Sequence, residues 1–236
     1  MKALQIINID FSYDDRTPIF KQASLNIGPG SIVGIVGPNG SGKTTLFDLI
    51  CKLKTVNSGV IVQSAVKQLY LSQTLMTPPA LRMFDIFKMI ALLASNKNVT
   101  LHQVLTKLSV WCPGITERYE KIWNKKSSLC SYGEKRWFFT LTLLSLDADF
   151  IVLDEPTAGV DPEFRHYIWQ CLRGASNEGA AILVSSHNIE EVVNNCDKFY
   201  MITKHNFLKF EDGRGFTDYY NASSLDEAFI HSAADA

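Results

Sequence analysis

The stretch of sequence that decides the fold is Gly37-Pro38-Asn39-Gly40-Ser41-Gly42-Lys43-Thr44-Thr45. It matches G-x-x-x-x-G-K-[ST], the pattern of a phosphate-binding loop that joins a strand to a helix. An apolar strand pattern over 31–36 precedes it and a helical pattern over 45–50 follows, which disfavours the alternative of a glycine-rich turn that binds nothing. The glycines let main-chain N–H groups turn toward a polyphosphate, and the helix N-terminus adds its positive dipole end. We therefore expect Lys43 to reach the β- and γ-phosphates of a nucleotide and the Thr44 hydroxyl to help hold Mg²⁺.

Composition and charge narrow the classes of protein. The chain has 236 residues, enough for one large domain with a sizeable core. Its 23 basic and 24 acidic side chains leave a net charge of −1, so charge gives no reason to expect nucleic acid or an anionic membrane as the main partner. The five cysteines are scattered without a C-x-x-C pair, which favours reduced thiols in a cytosolic protein. The longest apolar runs, near 86–94 and 137–146, are too short to span a bilayer, so membrane helices would belong to another chain.

Periodicity along the chain predicts an α/β protein. Apolar strands alternate with helices in the second half of the sequence, which indicates a mainly parallel sheet with both faces covered. Before them, apolar residues recur at helical spacing over 83–108 and predict a helical insertion. The predicted strands are 4–11, 23–27, 31–36, 59–62, 69–71, 150–153 and 181–185, and the later helices are 132–146, 162–174 and 189–195.

Two adjacent carboxylates, Asp154 and Glu155, follow the apolar run 150–153. Ligands bind outside the carboxyl ends of parallel strands, so both acids should emerge beside the phosphate-binding loop. Phosphoryl transfer needs one carboxylate to hold Mg²⁺ and another to orient or deprotonate the attacking water. Acids at a strand end are often only solvated charge, but the phosphate-binding loop in the same chain favours the catalytic interpretation.

Taken in order, the motifs resemble those of the nucleotide-binding subunit of an ATP-binding cassette (ABC) transporter, and the resemblance covers nearly the whole chain. Ser131-Tyr132-Gly133-Glu134-Lys135-Arg136 resembles the signature loop of that family, and Ala158-Gly159-Val160-Asp161 resembles the loop after the carboxylate strand. Ser185-Ser186-His187 resembles the segment that carries the switch histidine. Gln73 resembles the glutamine that reports nucleotide state to the membrane subunits, and Tyr13 stands where the family places an aromatic residue against adenine.

The resemblance implies a fold and an activity. The fold is a P-loop NTPase core with a mainly parallel sheet, a small antiparallel β subdomain and an α-helical insertion. The insertion is expected at approximately 76–146, within a single domain that spans 1–236. The activity is ATP hydrolysis that powers transport across a membrane, with ATP and Mg²⁺ as cofactors.

The resemblance also assigns roles to particular residues. Glu155 is the implied general base, and His187 and Lys43 are the further catalytic residues at the γ-phosphate. The implied magnesium ligands are Thr44, Gln73 and Asp154. The implied nucleotide-contacting residues are Tyr13, Gly37, Pro38, Asn39, Gly40, Ser41, Gly42, Lys43, Thr44, Thr45, Gln73, Ser131, Gly133 and Asp161.

Plainer alternatives stay open for several of these residues. Tyr13 could cap a strand instead of stacking on a base, and Gln73 could be an ordinary loop amide. His187 could be a satisfied surface histidine. The aromatic run 137–139 favours helix packing over a binding site. Trp111 and Trp123 fit either a core or a partner surface.

The partners are also implied by the resemblance. Two cassettes of this family face each other head to tail, with ATP between the phosphate-binding loop of one and the signature loop of the other. The chain is therefore expected to form a homodimer or heterodimer with a second cassette and to bind separately encoded transmembrane permease subunits. It is expected to be cytoplasmic, on the inner face of the cell membrane, and no nucleic acid is expected.

The signature loop departs from the family pattern L-S-G-G-Q, since the chain has Cys130-Ser131-Tyr132-Gly133-Glu134 there. Tyr132 replaces a glycine and adds bulk, and Glu134 is expected to bring a carboxylate near an anionic ligand. These changes predict hydrolysis that is retained but slow. The rival classes are a soluble cassette ATPase without a membrane partner and a regulatory cassette that no longer hydrolyses ATP.

The end of the chain bears on the direction of transport. Residues 223–230 resemble the S-L-E-E-x-F ending of cassettes of the ABC-2 export type, and 187–197 fits the same group. This similarity favours export over import. An ordinary amphipathic terminal helix is the alternative interpretation of the same residues.

Overall fold

The computed structural model describes residues 3–14, 17–94 and 98–234. Its larger sheet contains β3 (Ile32–Val36), β5 (Gln68–Leu71), β6 (Phe150–Asp154), β7 (Ala181–Ser185), β8 (Lys198–Thr203) and β9 (Asn206–Phe210). The strand order is β5-β6-β7-β3-β8-β9, and every neighbouring pair is parallel except the β8–β9 hairpin. Strands β3, β6 and β7 are buried along their whole length, as expected where helices cover both faces of a parallel sheet.

The centre of this sheet brings together the two motifs that the sequence singles out. Strand β7 lies between β3, which leads into the phosphate-binding loop, and β6, which ends in Asp154. Ser185 at the end of β7 is level with Ile35 on one side and with Asp154 on the other. Because parallel strands end at the same edge, the loop and the acids emerge side by side.

A smaller antiparallel sheet lies against one face of this core. It contains β1 (Leu4–Ser12), β2 (Pro18–Ile27) and β4 (Ser58–Gln63) in the order β2-β1-β4. Its buried side chains pack with those of α1 (Lys43–Ile50) and of the central strands in one apolar cluster. The predicted combination of a mainly parallel sheet with a small antiparallel one is confirmed.

The insertion consists of α2 (Met83–Leu93), α3 (Leu101–Trp111), α4 (Thr116–Trp123) and α5 (Tyr132–Leu144). The helical pattern over 83–108 thus corresponds to two helices, and residues 95–97 lie outside the described ranges. Trp123 is buried in the core, where its neighbour Tyr119 stacks on Phe138 with ring centroids 4.8 Å apart. Trp111 packs so closely on Gly174 that a Cβ there would lie 2.3 Å from the indole. Both tryptophans are therefore packing residues within the chain.

The remaining helices are α6 (Pro162–Asn177), α7 (Ile189–Asn195), α8 (Gly213–Tyr219) and α9 (Leu225–Ala234). The predicted strands and later helices are present, although β2 begins five residues earlier than the pattern indicated. The β8–β9 hairpin and helices α4 and α8 were not predicted. Within the described ranges, none of the helices is long and apolar enough to cross a membrane.

Candidate functional site

The phosphate-binding loop connects the buried end of β3 to the first residue of α1. Gly40 and Gly42 adopt φ values of +84° and +103°, a left-handed conformation that glycine reaches without strain. A Cβ on Gly42 would also lie 2.8 Å from the Ile19 side chain. These glycines allow the loop to close around the ammonium group of Lys43, whose Nζ donates hydrogen bonds to the carbonyl oxygens of Gly37 (2.7 Å) and Pro38 (3.1 Å).

Lys43 is a buried cation within a cluster of acids. Burial lowers the pKa of its ammonium, and the carboxylates of Glu155 and Asp154 oppose that effect. The charge is thus held in place by main-chain carbonyls and nearby acids. A γ-phosphate would supply stronger, charge-assisted partners for the same nitrogen.

Asp154 joins the strand ends to the phosphate-binding loop through two hydroxyl groups. Thr44 Oγ1 donates to Asp154 Oδ2 (3.0 Å), and Ser185 Oγ donates to Asp154 Oδ1 (2.6 Å). The Asp154 side chain is almost completely buried at 1% exposure. Burial raises its pKa above the ordinary value, and the two hydrogen bonds oppose that rise. A buried carboxylate beside a hydroxyl is a set of oxygen ligands suited to Mg²⁺.

Glu155 has an unusual backbone conformation for a residue with a side chain. Its φ is +52°, and its main chain is held from two sides. Its N–H donates to Ser185 Oγ (3.0 Å), and its carbonyl oxygen accepts from Arg136 Nε (3.0 Å). Strained backbone of this kind is often found at functional sites. The conformation directs the Glu155 carboxylate into the same region as Lys43 and Asp154.

The Glu155 carboxylate lies between two other predicted site residues. Its Oε2 atom is 3.4 Å from Gln73 Nε2, which donates to it, and 3.5 Å from His187 Nδ1. The Glu155 side chain is 12% exposed, whereas that of His187 is 64% exposed. The carboxylate is therefore oriented by an amide and an imidazole at the mouth of the site.

Tyr13 marks the other end of this region. Its hydroxyl group shares a hydrogen bond with Thr45 Oγ1 (2.9 Å), and its ring is in edge contact with Phe11. Most of the ring is exposed, and the Lys54 ammonium lies 5.1 Å from its centroid. The ring is thus fixed by its edge and its hydroxyl group while much of its surface stays open to a flat ligand.

A cavity of about 230 Å³ connects these features. It is lined by Tyr13, Ile19, Asn39, Gly40, Gly42, Lys43, Thr44, Thr45, Gln73, Asp154 and Glu155. Most of the predicted site residues therefore surround one space. The predicted residues outside this lining are Gly37, Pro38, Ser41, Ser131, Gly133, Asp161 and His187. Of these, Ser131 and Gly133 belong to the signature loop, which the resemblance places at the nucleotide of a second cassette.

The signature loop forms the start of helix α5. Ser131 Oγ accepts from the N–H of Glu134 (3.0 Å), and Glu134 Oε2 accepts from the N–H of Ser131 (2.7 Å), which together make a capping box. The Glu134 carboxylate also pairs with Lys125 at 2.9 Å. The sequence-based expectation that this carboxylate confronts an anionic ligand is therefore at odds with its geometry, because it is turned back onto its own helix and neutralised there.

The signature loop packs closely against the loop after β6, which explains why Gly133 and Gly159 have no side chain. A Cβ on Gly133 would lie 2.5 Å from the carbonyl oxygen of Gly159, in the loop after β6. A Cβ on Gly159 would lie 3.1 Å from the ring of Tyr132. The Tyr132 hydroxyl donates to the carbonyl oxygen of Gln73 (3.1 Å). The signature loop of one chain is thus packed against the loops that carry Asp161 and Gln73 of the same chain.

The contacts that three motif residues make in the site were not predicted from the sequence. Ser185 holds both Asp154 and Glu155, and its place at a strand end could have indicated this role. Arg136 and Tyr132 contact the Gln73 loop, but no sequence spacing relates them to it. The capping box of Glu134 has a recognisable S-x-x-E pattern.

A larger groove of about 750 Å³ lies beside the Gln73 loop, since Ser72 and Thr74 are part of its lining. It runs between β5 with the following loop on one side and helices α2 and α5 on the other. Its lining includes the highly exposed side chains of Met76 (90%) and Leu93 (86%). Apolar side chains exposed in a concave surface are typical of a site of protein association.

The fold and the site define a P-loop NTPase with the motif order of an ATP-binding cassette. The family model described as "ABC transporter" matches residues 20–158, more than half of the chain. A second model, described as "AAA domain, putative AbiEii toxin, Type IV TA system", matches residues 123–194. The chain belongs to the ABC transporter ATP-binding family, and it is the ATP-binding subunit of such a transporter and an ATPase.

Individual relatives match most of the chain. Protein McbF of Escherichia coli is 31% identical, over 94% of this chain and 91% of McbF. The lipopolysaccharide export system ATP-binding protein LptB of Haemophilus influenzae is 29% identical, over 86% of this chain and 87% of LptB. A solved structure described as the ATP-binding subunit of an ABC transporter covers 97% of this chain and 98% of its own, with a TM-score of 0.81 at 20% identity. At that identity the structure bears on the fold alone.

Proposed function

We propose that this chain binds and hydrolyses Mg²⁺–ATP between two cassettes and thereby drives an exporter. The observation that carries the proposal is the convergence of Lys43, Thr44, Asp154 and Glu155 on one cavity, with Tyr13 at its edge. This set contains a cation for phosphate, oxygen ligands for a metal and a second carboxylate that can act on water. Those are the parts that phosphoryl transfer to water requires.

Nucleotide binding follows from the shape and charge of the site. Tyr13 offers an exposed ring for the base, and a base–aromatic stack contributes about 1–3 kcal/mol. The amides of the phosphate-binding loop and the N-terminus of α1 receive the phosphates, with Lys43 turned from its loop carbonyls to the γ-phosphate. Small-molecule sites usually enclose about 300–1,000 Å³. The cavity of about 230 Å³ is smaller, so one chain covers only part of a nucleotide.

Magnesium fits the oxygen atoms beside Thr44. Asp154 and Thr44 already contact each other, and the amide of Gln73 lines the same cavity. A cation there would favour the ionised form of Asp154 and oppose the rise in pKa that burial causes. Bound there, Mg²⁺ would supply positive charge that offsets the negative charge developing on the phosphate during hydrolysis. Thr44, Gln73 and Asp154 are the residues that would hold it.

Glu155 acts as the general base in this proposal. Its main chain is fixed by Ser185 and Arg136, so the carboxylate orients a water molecule without first having to order itself. Gln73 and His187 lie on either side of the carboxylate and can contact the same water or the γ-phosphate. General-base catalysis of this type contributes about 10²–10⁴-fold to the rate.

The second half of the site comes from another cassette, in a homodimer or heterodimer. Ser131 is the N-cap of a helix of 13 residues, and the N-terminal end of this helix favours an anion. Ser131, Gly133 and Asp161 lie outside the cavity of their own chain, which supports a role at the nucleotide of a facing chain. ATP that contacts both surfaces stabilises the closed dimer, and hydrolysis removes that stabilisation.

The groove between β5 and α2 is the proposed docking site for a separately encoded permease. It adjoins the Gln73 loop, and the exposed side chains of Met76 and Leu93 can receive an apolar helix. Movement of Gln73 at the nucleotide would therefore displace residues that line the groove. This arrangement would hold the chain on the inner face of the cell membrane.

Export of the ABC-2 type is the proposed direction. Similarity to LptB, whose name specifies an export system, supports export over import. The terminal segment that suggested export forms helix α9, and its Glu227 accepts hydrogen bonds from the N–H (2.6 Å) and hydroxyl (2.5 Å) of Ser223. These contacts cap the helix, so the segment also has a purely structural role.

Co-purification and turnover test the proposal together. A tagged copy of the chain, isolated from detergent-solubilised membranes, is expected to bring down a polytopic membrane protein and to hydrolyse ATP. In liposomes reconstituted with that partner, export predicts movement of substrate away from the side that carries the cassette. Isolation of the chain without any membrane protein would contradict the transport role, and movement toward the cassette would contradict export.

A further inference from the structure

Tyr132 connects the signature loop to the Gln73 loop within one chain. It is the first residue of α5 and stands where the family pattern has a glycine. Its side chain is 48% exposed, its ring lies over Gly159, and its hydroxyl donates to the main-chain oxygen of Gln73 (3.1 Å). Gly159 has a φ of +69° and no side chain, which leaves room for the ring. The bulk added at Tyr132 is thus accommodated by specific contacts.

Arg136 binds the same loop one helical turn later. Its Nη1 atom donates to the carbonyl oxygens of Ser72 (2.6 Å) and Gln73 (3.1 Å), and its Nε atom donates to that of Glu155 (3.0 Å). Residues four apart lie on the same face of a helix, so Tyr132 and Arg136 approach the loop together. A carbonyl oxygen has two lone pairs, and α5 supplies two donors to that of Gln73.

We propose that Tyr132 is a positioning residue that couples the two ATP sites of the dimer. Ser131 would contact the ATP of the facing cassette, while Gln73 and Glu155 act on the ATP of their own. Because α5 holds the Gln73 carbonyl through Tyr132 and Arg136, a shift of the signature loop moves Gln73 with it. This inference rests on the proposed dimeric function and adds the residue that links its two sites.

The two donors to Gln73 contribute differently to this link. The Arg136 guanidinium is fully buried and also holds Glu155, so its removal would disturb the catalytic residue itself. The Tyr132 hydroxyl is a neutral donor on a side chain that is half exposed to solvent. Loss of one such hydrogen bond changes an equilibrium by about two- to tenfold. Tyr132→Phe removes that bond and keeps the ring on Gly159, so it isolates the coupling.

The test compares Tyr132→Phe with Tyr167→Phe in the full-length chain. Tyr167 donates to Glu163 (2.9 Å) on its own helix, so this control loses the same hydroxyl group at a site without contact to Gln73. Initial rates of ATP hydrolysis are measured against ATP concentration, and binding of a fluorescent ATP analogue is measured on monomeric chain. Two coupled sites give a Hill coefficient that approaches about 2 in the wild type and in the control.

The expected result for Tyr132→Phe is a Hill coefficient below that of the wild type and a maximal rate about two- to tenfold lower, with affinity for the analogue within about twofold of wild type. Tyr132→Gly, which restores the family residue, is expected to lose the coupling as well. A wild-type Hill coefficient in either variant, or one near about 1 in the wild type itself, overturns the inference. Lost analogue binding by Tyr132→Phe overturns it too, since Tyr132 would then act on the nucleotide directly.

A separate control distinguishes failure of this inference from failure of the proposed function. The Glu155→Gln chain is expected to form a dimer with ATP whatever the outcome for Tyr132. If that dimer forms and Tyr132→Phe behaves as wild type, the coupling role of Tyr132 is refuted and the proposed function is retained. If no ATP-dependent dimer forms, the proposed function is refuted, and so is the coupling between its two ATP sites.

Discussion

Substitutions at Glu134 separate two contributions of the carboxylate in the signature loop. In the structure this carboxylate accepts from the N–H of Ser131 (2.7 Å) and pairs with Lys125 (2.9 Å). Glu134→Ala removes both the hydrogen bond and the ion pair. Glu134→Gln keeps an oxygen for the hydrogen bond and removes only the charge. The two variants together therefore divide the capping contribution from the ionic one.

The expected magnitudes follow from these contacts. A capping hydrogen bond contributes about 1 kcal/mol to stability. The ion pair joins two side chains that are 36% and 35% exposed, so solvent screening reduces it to roughly 0–1 kcal/mol. Glu134→Ala is expected to lower the free energy of unfolding by about 1–2 kcal/mol, which lowers Tm by roughly 2–8 °C in a chain of this length. Glu134→Gln is expected to cost less than about 1 kcal/mol.

The stability difference should also depend on pH. Burial alone would raise the pKa of Glu134, but the hydrogen bonds from Ser131 and the pairing with Lys125 lower it below the ordinary value of 4.5. A folded-state pKa below that of the unfolded chain means that the stabilisation is present above about pH 4.5 and is lost as pH falls through the lowered value. Thermal unfolding of wild type and Glu134→Ala should therefore converge at acid pH.

Thermal unfolding and ATP turnover provide the assay. Turnover by Glu134→Gln should stay within about twofold of wild type, because Lys125 already neutralises the carboxylate. A several-fold rise in turnover with glutamine would mean that the carboxylate does repel the phosphate, as the sequence suggested. A Tm for Glu134→Ala equal to that of wild type would refute the capping argument.

Three further predictions concern other parts of the molecule. Lys43→Ala should lower affinity for a fluorescent ATP analogue by about ten- to hundredfold, because charge-assisted hydrogen bonds to the phosphates are lost. Lys121 is exposed, so the control Lys121→Ala should leave this affinity unchanged. Gly133→Ala places a Cβ 2.5 Å from the Gly159 oxygen and should destabilise the chain by about 1–3 kcal/mol in thermal unfolding; an unchanged Tm would contradict this packing. Leu93→Glu should reduce the amount of membrane protein that co-purifies while the Tm of the isolated chain is retained, since this side chain is 86% exposed; equal recovery would argue against the groove as the docking site.

The parts of the fold that the sequence predicted are those with strong local patterns. Strands β3, β6 and β7 are continuous apolar runs, and the glycines and lysine of the phosphate-binding loop match the spacing of a known motif. The β8–β9 hairpin was missed because its turn is formed by Lys204 and His205, both with positive φ, instead of the Asn-Gly or Asp-Gly that marks such turns. The apolar run at 199–202 was the available signal.

The sequence predicted those features of the site that follow from the order of its motifs. The position of Asp154 beside Thr44 follows from the rule that parallel strands end at the same edge of the sheet. The orientation of Glu134 was not predicted, since a carboxylate in a loop can turn outward or cap its own helix. The contacts of Tyr132 and Arg136 with Gln73 join residues about 60 positions apart, and local spacing contains no information about them. Subdomain boundaries and residue roles stay predictions.

ATP hydrolysis by the Glu155→Gln chain tests the central claim most directly. If a triphosphate lies between the phosphate-binding loop and the two acids, loss of this base should lower turnover by about 10²–10⁴-fold. Affinity for ATP should persist, and size-exclusion chromatography with light scattering should detect a dimer only when ATP is present. Turnover equal to that of the wild type would contradict the account.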